Sequence, residues 1–465
     1  MSVFWAASGI APGAIRAGRG VRRSVVEGVR EAVRTGRLAP GTRLPSSRRL
    51  AGDLGLARNP VADAYADLVA EGWLTARRGS GTVVADRMVT RPVVARPAVD
   101  PSDSPRHDLI PGNPDLSAFP RAAWLKAARR ALAAAPDDAL GYGDPRGRPE
   151  LRAALAEHLA RTRGVSVSPE HILICAGVSH GLQILSRVMT GRGASNVGVE
   201  SYGLPRYWDL LAAAGLETRP LPFDAHGTNP VPPAGTDAVL LTPAHPFPVG
   251  TALRGDRRTA VVDWAERTGG LVLENDDDGE FRFDRQSVGA LQGLDPDCVV
   301  YLGAAGKTLA PGLRLGWMAM PPALAAEAVA AKGQIDSCEV LSQLTMAEFL
   351  TSGAYDRHVR AVRRRYRDRR ETLVTALAQH APRVRVMGAA AGLHTVLRLP
   401  PGAEQRVLQE AARQGVAVTG LSRYRHERSP NALADALVVG YGVPTDAAWP
   451  QALSALVGIL SRHSD

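Results

Sequence analysis

From Val21 to Val33 the apolar residues Val21, Val25, Val29, Ala32 and Val33 return at the spacing of an amphipathic helix. Pro40-Gly41 breaks that pattern. Ser46 or Ser47 can cap a short second helix carrying Leu50, Ala51 and Leu54, and Gly55 supplies the turn after it. A third helix is predicted with Asn59 as its cap and Pro60 in the first helical position. Its buried face reads Val61, Ala64, Tyr65, Leu68 and Val69, and Gly72 stops it. Two short β-type runs follow, Trp73–Ala76 and Thr82–Ala85, bridged by Arg77-Arg78-Gly79-Ser80-Gly81. Three helices and a hairpin with a basic tip make a winged helix-turn-helix, placed at residues 15–86.

Residues 87–107 are rich in Pro, Arg, Asp and Ser, lack periodicity, and read as a linker. From 108 onward helical patterns alternate with short apolar runs: Ile172–Cys175, Val197–Val199, Ala238–Thr242, Leu271–Leu273 and Val299–Leu302. That rhythm predicts an α/β domain over 108–465 around a mostly parallel sheet. No fixed-period repeat is present. Tyr355 to Leu373 reads as a helix with an apolar stripe of Tyr355, Val359, Val362, Tyr366 and Leu373. Its other faces carry Arg357, Arg360, Arg363, Arg364, Arg365, Arg367, Arg369 and Arg370. The simple reading is a solvated basic face; the functional one is a second surface for DNA.

The chain has 465 residues, which implies two to three domains. A composition 45% hydrophobic and 22% charged is that of a soluble globular protein. No apolar run reaches membrane-spanning length, and Met1–Gly20 lacks the pattern of a secretion signal. Cys175, Cys298 and Cys338 form neither a disulfide framework nor a metal-ligand spacing, so a cytoplasmic location is expected and no metal. The net charge is +10, and its placement is informative: residues 1–90 hold fourteen Arg against seven Asp plus Glu. A basic excess confined to one small segment fits a module for a polyanion such as double-stranded DNA.

A helix-turn-helix reads bases with residues near the start of its second helix, here Ala57, Arg58 and Asn59. Arg can pair with both guanine acceptors and Asn with adenine. Arg48 is placed for phosphate or base, and the wing residues Arg78 and Gly79 for the minor groove. Residues 20–86 resemble the GntR family of winged-helix regulators. The resemblance rests on Leu44-Pro45-Ser46-Ser47-Arg48-Arg49-Leu50-Ala51, Arg58-Asn59, Glu71-Gly72-Trp73-Leu74 and Gly79-Ser80-Gly81-Thr82. It implies DNA contacts by Arg48, Arg58, Asn59 and the wing. Pro60 stands where the family commonly has Thr, which removes a hydroxyl and an N–H that could meet phosphate.

The strongest chemical signal is Tyr301-Leu302-Gly303-Ala304-Ala305-Gly306-Lys307, followed by Pro311-Gly312-Leu313-Arg314. A lysine in a small-residue loop just beyond a strand can form a Schiff base with an aldehyde cofactor, and Arg314 can pair with a phosphate. With Tyr142-Gly143-Asp144-Pro145-Arg146-Gly147, Thr242-Pro243-Ala244-His245 and Glu274-Asn275-Asp276-Asp277-Asp278-Gly279-Glu280-Phe281, this part resembles fold type I aminotransferases, which use pyridoxal 5′-phosphate (PLP). The whole chain resembles the MocR/GabR subfamily of GntR regulators.

That resemblance implies a small C-terminal α+β subdomain at about 365–465 and a homodimer. It implies Lys307 as the Schiff-base lysine, the turn at Val178 and Ser179 for the phosphate, and His245 beside the ring. The positions of the ring-nitrogen partner and of the ring-hydroxyl partner fall on Asn275 and Asp277, where the family has Asp and Tyr. Gly306 replaces a Ser or Thr, His180 and Pro246 replace Gln, and Ala436 replaces a substrate-binding Arg, while Arg206 remains for an effector carboxylate. A carboxylate keeps the pyridine nitrogen protonated and Asn cannot. The chain is therefore read as a DNA-binding regulator whose second domain senses PLP, or an amino compound through PLP, without efficient turnover and with no catalytic residue assigned. The alternatives are an aminotransferase with an accessory DNA module, and a regulator whose altered pocket takes another effector.

Overall fold

A computed structural model describes residues 20–77, 81–86, 105–283, 288–333, 338–430 and 433–462. The chain divides into two compact units, Met1–Asp103 and Ser104–Asp465. The wing tip with Arg78 and Gly79, and most of the stretch read as a linker, lie outside the described residues.

In the first unit, helices α1 (Val21–Arg34), α2 (Ser47–Leu54) and α3 (Arg58–Ala70) precede strands β1 (Leu74–Arg77) and β2 (Gly81–Val84). Ser46 caps α2 by accepting a hydrogen bond from the Arg49 amide at 3.3 Å, and Gly55 closes it in the left-handed region. The predicted cap of α3 needs correction. Ala57 is the cap, and Arg58, Asn59 and Pro60 form the first turn. Proline is tolerated there because the first amides of a helix lack an intrahelical acceptor anyway. β1 and β2 pair antiparallel, Leu74 opposite Val84. Leu50, Val61, Leu68, Leu74 and Val84 are buried together between helices and hairpin. Each large apolar side chain so buried contributes about 1.5–3 kcal/mol.

The second unit is built on a seven-stranded sheet. After the short strand β3 (His107–Asp108), its strands are β4 (Ile172–Cys175), β5 (Asn196–Val199), β6 (Glu217–Pro220), β7 (Ala238–Leu241), β8 (Leu271–Asn275), β9 (Val299–Ala304) and β10 (Gly316–Ala319). Their spatial order is β4-β10-β9-β8-β7-β5-β6, parallel except that β10 runs against both neighbours. β6 and β10 were not among the runs read from the sequence. Helix α4 (Arg121–Ala134) packs on the helix Val340–Thr351, while α5 (Pro149–Arg163) and α6 (Val178–Gly191) pack on the sheet. The Arg-rich helix α7 runs from Ala354 to His380, longer than expected, and buries all five residues of its predicted stripe. A four-stranded antiparallel sheet includes His394–Arg398 and Ala436–Gly440. No described helix is long and apolar enough to cross a membrane.

Candidate cofactor and DNA sites

Parallel strands present their C-terminal ends at one edge of a sheet, where α/β folds place ligands. Here Cys175 faces Gly316, Gly316 faces Ala304, and Leu302 faces Asn275. The turns after β4, β8 and β9 and the residues entering β10 therefore share one edge.

After β4 the chain turns at Gly177, whose φ of 88° is left-handed, into α6. The amides of Val178 and Ser179 lie in the first turn, where an α-helix offers unsatisfied donors to an anion. Arg314 faces this turn: its Nη2 donates to the Ala176 carbonyl. Arg314 is the one described non-glycine residue with positive φ, at 50°. Such backbone costs about 1–3 kcal/mol and concentrates at functional sites. A side chain at Gly316 would strike Gly177 at 2.7 Å, so that glycine lets strand and turn close up. His180 Nδ1 accepts from the Ala176 amide at 3.0 Å and ties the turn together.

Lys307, Arg206, His245, Asn275 and Asp277 line a single cavity of about 100 Å³, with Pro111, Gly112, Glu200, Tyr207 and His394. Lys307 Nζ donates to the Gly112 carbonyl. Asn275 sits at the end of β8 and is 4% exposed, and its Oδ1 has no hydrogen-bond partner among the described residues. Burial lifts the Asp277 carboxyl above its ordinary range, against the pull of Lys307. Burial also pushes Asp278 up, but His245, His394 and Lys307 outweigh it and hold Asp278 below its ordinary value. His245 Nδ1 and Asp278 Oδ2 are 2.9 Å apart. Burial, with His245 nearby, drives the His394 imidazole down to about 3. Burial takes Glu200 up to about 7, although Thr242 and Thr228 donate hydrogen bonds to it.

Asp276 plays a different part from its neighbours. It too lines the cavity, but its carboxylate pairs with Arg163 at 2.6 Å and accepts from the Tyr301 hydroxyl at 2.9 Å. Sequence reasoning missed Gly112, Tyr207 and His394. The first acts through its backbone carbonyl, and the other two carry no local motif. One ligand-type atom from each of His245, Asp278 and His394 lies within 4.8 Å of the others. The existing hydrogen bonds already engage them, because His394 Nε2 meets the Pro248 carbonyl at 3.0 Å.

These residues can be tested against PLP itself. The amides at Val178 and Ser179 with Arg314 suit its phosphate, and Lys307 suits its aldehyde. The unpartnered Oδ1 of Asn275 can accept from a ring N–H. Asp277, when protonated, can donate to the ring oxygen. Gly306 has only the Pro311 Cα, at 3.7 Å, near where a side chain would begin, so the missing hydroxyl is not forced by crowding. The group fits, held by a neutral amide where a charge is usual.

In the first unit Arg48 lies in the first turn of α2 and is exposed, and Arg58 and Asn59 open α3, both exposed. Ala57, at the cap, is exposed as well.

Two family models match the chain: bacterial regulatory proteins of the gntR family over residues 21–84, and aminotransferase class I and II over 111–430. The HTH-type pyridoxine biosynthesis transcriptional regulator PdxR of Corynebacterium glutamicum is 35% identical over 405 residues, 86% of this chain and 88% of that protein. The "Probable rhizopine catabolism regulatory protein MocR" of Rhizobium meliloti is 33% identical over 452 residues, 90% of each. Among solved structures, an archaeal alanine:glyoxylate aminotransferase superposes with a TM-score of 0.68 at 24% identity, covering 77% of this chain and 91% of that one.

Proposed function

The chain belongs to the GntR family of bacterial regulatory proteins, in the MocR-type group that joins a winged helix-turn-helix to an aminotransferase class I and II domain, and from that membership we propose that its second unit senses PLP, or an amino compound through PLP, at Lys307. The observation that carries this reading is the meeting of Lys307, Asn275, Asp277, His245 and Arg206 in one cavity at the sheet edge that also bears the Gly177 turn and Arg314.

When bound, PLP supplies an aldehyde that condenses with primary amines. Lys307 offers the amine. Val178, Ser179 and Arg314 would hold the phosphate, and His245, kept in place by Asp278, would lie beside the ring. Arg206, whose Nη2 donates to the Tyr207 hydroxyl at 3.3 Å, is the cation available to an effector carboxylate. Asn275 carries no charge that would hold a proton on the ring nitrogen, which favours holding an amine over turning it over. Ligand binding biases one conformation over another, and DNA affinity changes by linkage.

DNA is engaged by Arg48, Ala57, Arg58 and Asn59, with Arg78 and Gly79 at the wing. The protein acts in the cytoplasm as a homodimer. The dimer is supported by apolar side chains left outside the core: Leu125 and Leu132, each 51% exposed and seven residues apart on α4, and Tyr142, 94% exposed. An exposed apolar patch of this kind marks a contact surface.

The test is a spectrum of the purified protein with and without added PLP, beside promoter binding under the same conditions. A visible chromophore that Lys307→Ala lacks, and promoter affinity that shifts with PLP, are expected. A colourless protein indifferent to PLP would reject the cofactor and leave the regulator with a different effector. Glu200, Asp277 and Asp278 around the cavity would then favour a cationic amine.

A further inference from the structure

We propose that the second unit carries its own site for the phosphodiester backbone of DNA, in the groove between α5 and α7. The proposal rests on the reading of this chain as a DNA-bound regulator and extends it to a surface outside the winged helix.

The groove has a volume of about 720 Å³. Arg161, Arg282, Arg360, Arg363, Arg364 and Arg367 line it, against the carboxylates of Glu280 and Asp356. Arg163 also reaches the groove but is committed to Asp276. The two acids are already engaged. Glu280 is held by His158 at 2.9 Å and by the Tyr355 hydroxyl at 2.7 Å, and Asp356 by Arg161 at 2.8 Å. Arg363 is fixed in place, its Nε donating to the Glu280 carbonyl at 2.9 Å. Arg360 and Arg364 are exposed and make no ion pair or hydrogen bond with any described residue.

Arg360, Arg364 and Arg367 are spaced four and three residues apart, so they form one row along α7. At 1.5 Å rise per residue that row is about 10 Å long. Duplex DNA presents one negative charge per about 1.7 Å of its axis, so a row of this length meets several phosphates. Arginine suits them because its planar fork pairs with two phosphate oxygens. Charge also decides against the other available occupant. The first ninety residues of a second copy carry fourteen arginines against seven acids, and the groove would repel them.

The experiment uses the full chain. Arg58→Ala first removes reading by the winged helix, and binding to a long mixed-sequence duplex is then measured across salt concentrations. In that background, Arg360→Gln with Arg364→Gln is expected to weaken binding at least tenfold. It should also flatten the slope of log affinity against log salt by about 1.8, or 0.9 per lost phosphate contact. A charge-matched control, Arg357→Gln with Arg385→Gln, should change neither beyond a small general loss. Unaltered affinity and slope in the groove variant, or an equal effect of the control, would overturn the proposal. So would competition by inorganic pyrophosphate that is independent of duplex length, since it would assign a small anion to the groove. A wild-type chain that binds no DNA at all, its own promoter included, would instead remove the regulator reading itself.

Discussion

Lys307 donates its side-chain hydrogen bond to the backbone carbonyl of Gly112, 195 residues earlier in the chain. The contact draws the start of the second unit across the cavity and aims the amine into it. Replacing the amine removes the condensing group without disturbing a packed core. Lys307→Ala is expected to abolish visible absorbance and to weaken PLP binding by at least about tenfold, about 1.4 kcal/mol. Lys307→Arg should do the same, because a guanidinium keeps the charge but does not condense. Thermal melts of the ligand-free variants should match the parent, and a large drop would show that the lysine acts mainly in folding.

The proposed role of Asn275 as a neutral partner of the ring nitrogen predicts a gain of function. In Asn275→Asp with Asp277→Tyr, a carboxylate replaces the unpartnered amide oxygen and a phenol replaces the acid beside Lys307. Conversion of bound PLP to its amine form by amino donors should then speed up tenfold or more, about 1.4 kcal/mol off the barrier. Stopped-flow absorbance reads this directly. Equal rates in both proteins would mean that Asn275 does not face the ring nitrogen.

Arg58 opens α3 and is exposed, as are Ala57 before it and Asn59 after it. Arg58→Ala should cost about 1–3 kcal/mol at the operator and relax preference at one base pair. Arg48→Ala, if its contact is to phosphate, should weaken all sequences alike and lower the salt slope by about 1. Anisotropy titrations on operator and mixed DNA separate the two roles.

Much of this was legible because local chemistry and global fold agree. The Ser46 cap, the Gly55 turn and the stripe from Tyr355 to Leu373 follow from rules that act within a few residues. The start of α3 was misplaced because Asn59 and Pro60 are suitable at several first-turn positions, and only the backbone decides among them. β10 was hidden by its glycine-led, short sequence, although its antiparallel pairing completes the sheet edge. In the cavity, Lys307 and the acidic stretch announce themselves, while Gly112 and His394 arrive by tertiary folding with no motif to mark them. Asp276 and Asp277 are adjacent in sequence and both line the cavity, yet Asp276 is tied to Arg163 and Asp277 is not, a division that pattern alone does not give.

Leu125 and Leu132 lie nearly two helical turns apart on α4 and are each half exposed. If they form the subunit contact, one buried charge will break it, since an unpaired charge in an apolar interface costs several kcal/mol. Leu132→Glu should move the protein from dimer toward monomer in analytical ultracentrifugation. It should also weaken binding to a two-half-site operator more than to a single half-site. A variant that remains dimeric at every concentration would place the interface elsewhere.

Glu200 makes stability depend on pH in a direction that can be worked out. Burial raises its carboxyl from 4.5 to about 7 in the folded chain. Between those values the folded state binds more protons than the unfolded one, so stability falls as pH rises. The contribution is complete below about pH 4.5 and gone above about pH 7, with a span of about 3 kcal/mol. Glu274, buried and also lifted to about 7, adds a second decline of the same sign. His394, lowered to about 3, works the other way below about pH 6.5. Glu200→Gln should therefore shift the change in unfolding free energy between about pH 5 and pH 8 upward by about 2–3 kcal/mol relative to the parent. Urea melts at the two pH values measure it. A variant with the parent's full pH slope would mean that Glu200 is already ionised at pH 5, held by Thr242 and Thr228 more firmly than burial opposes it.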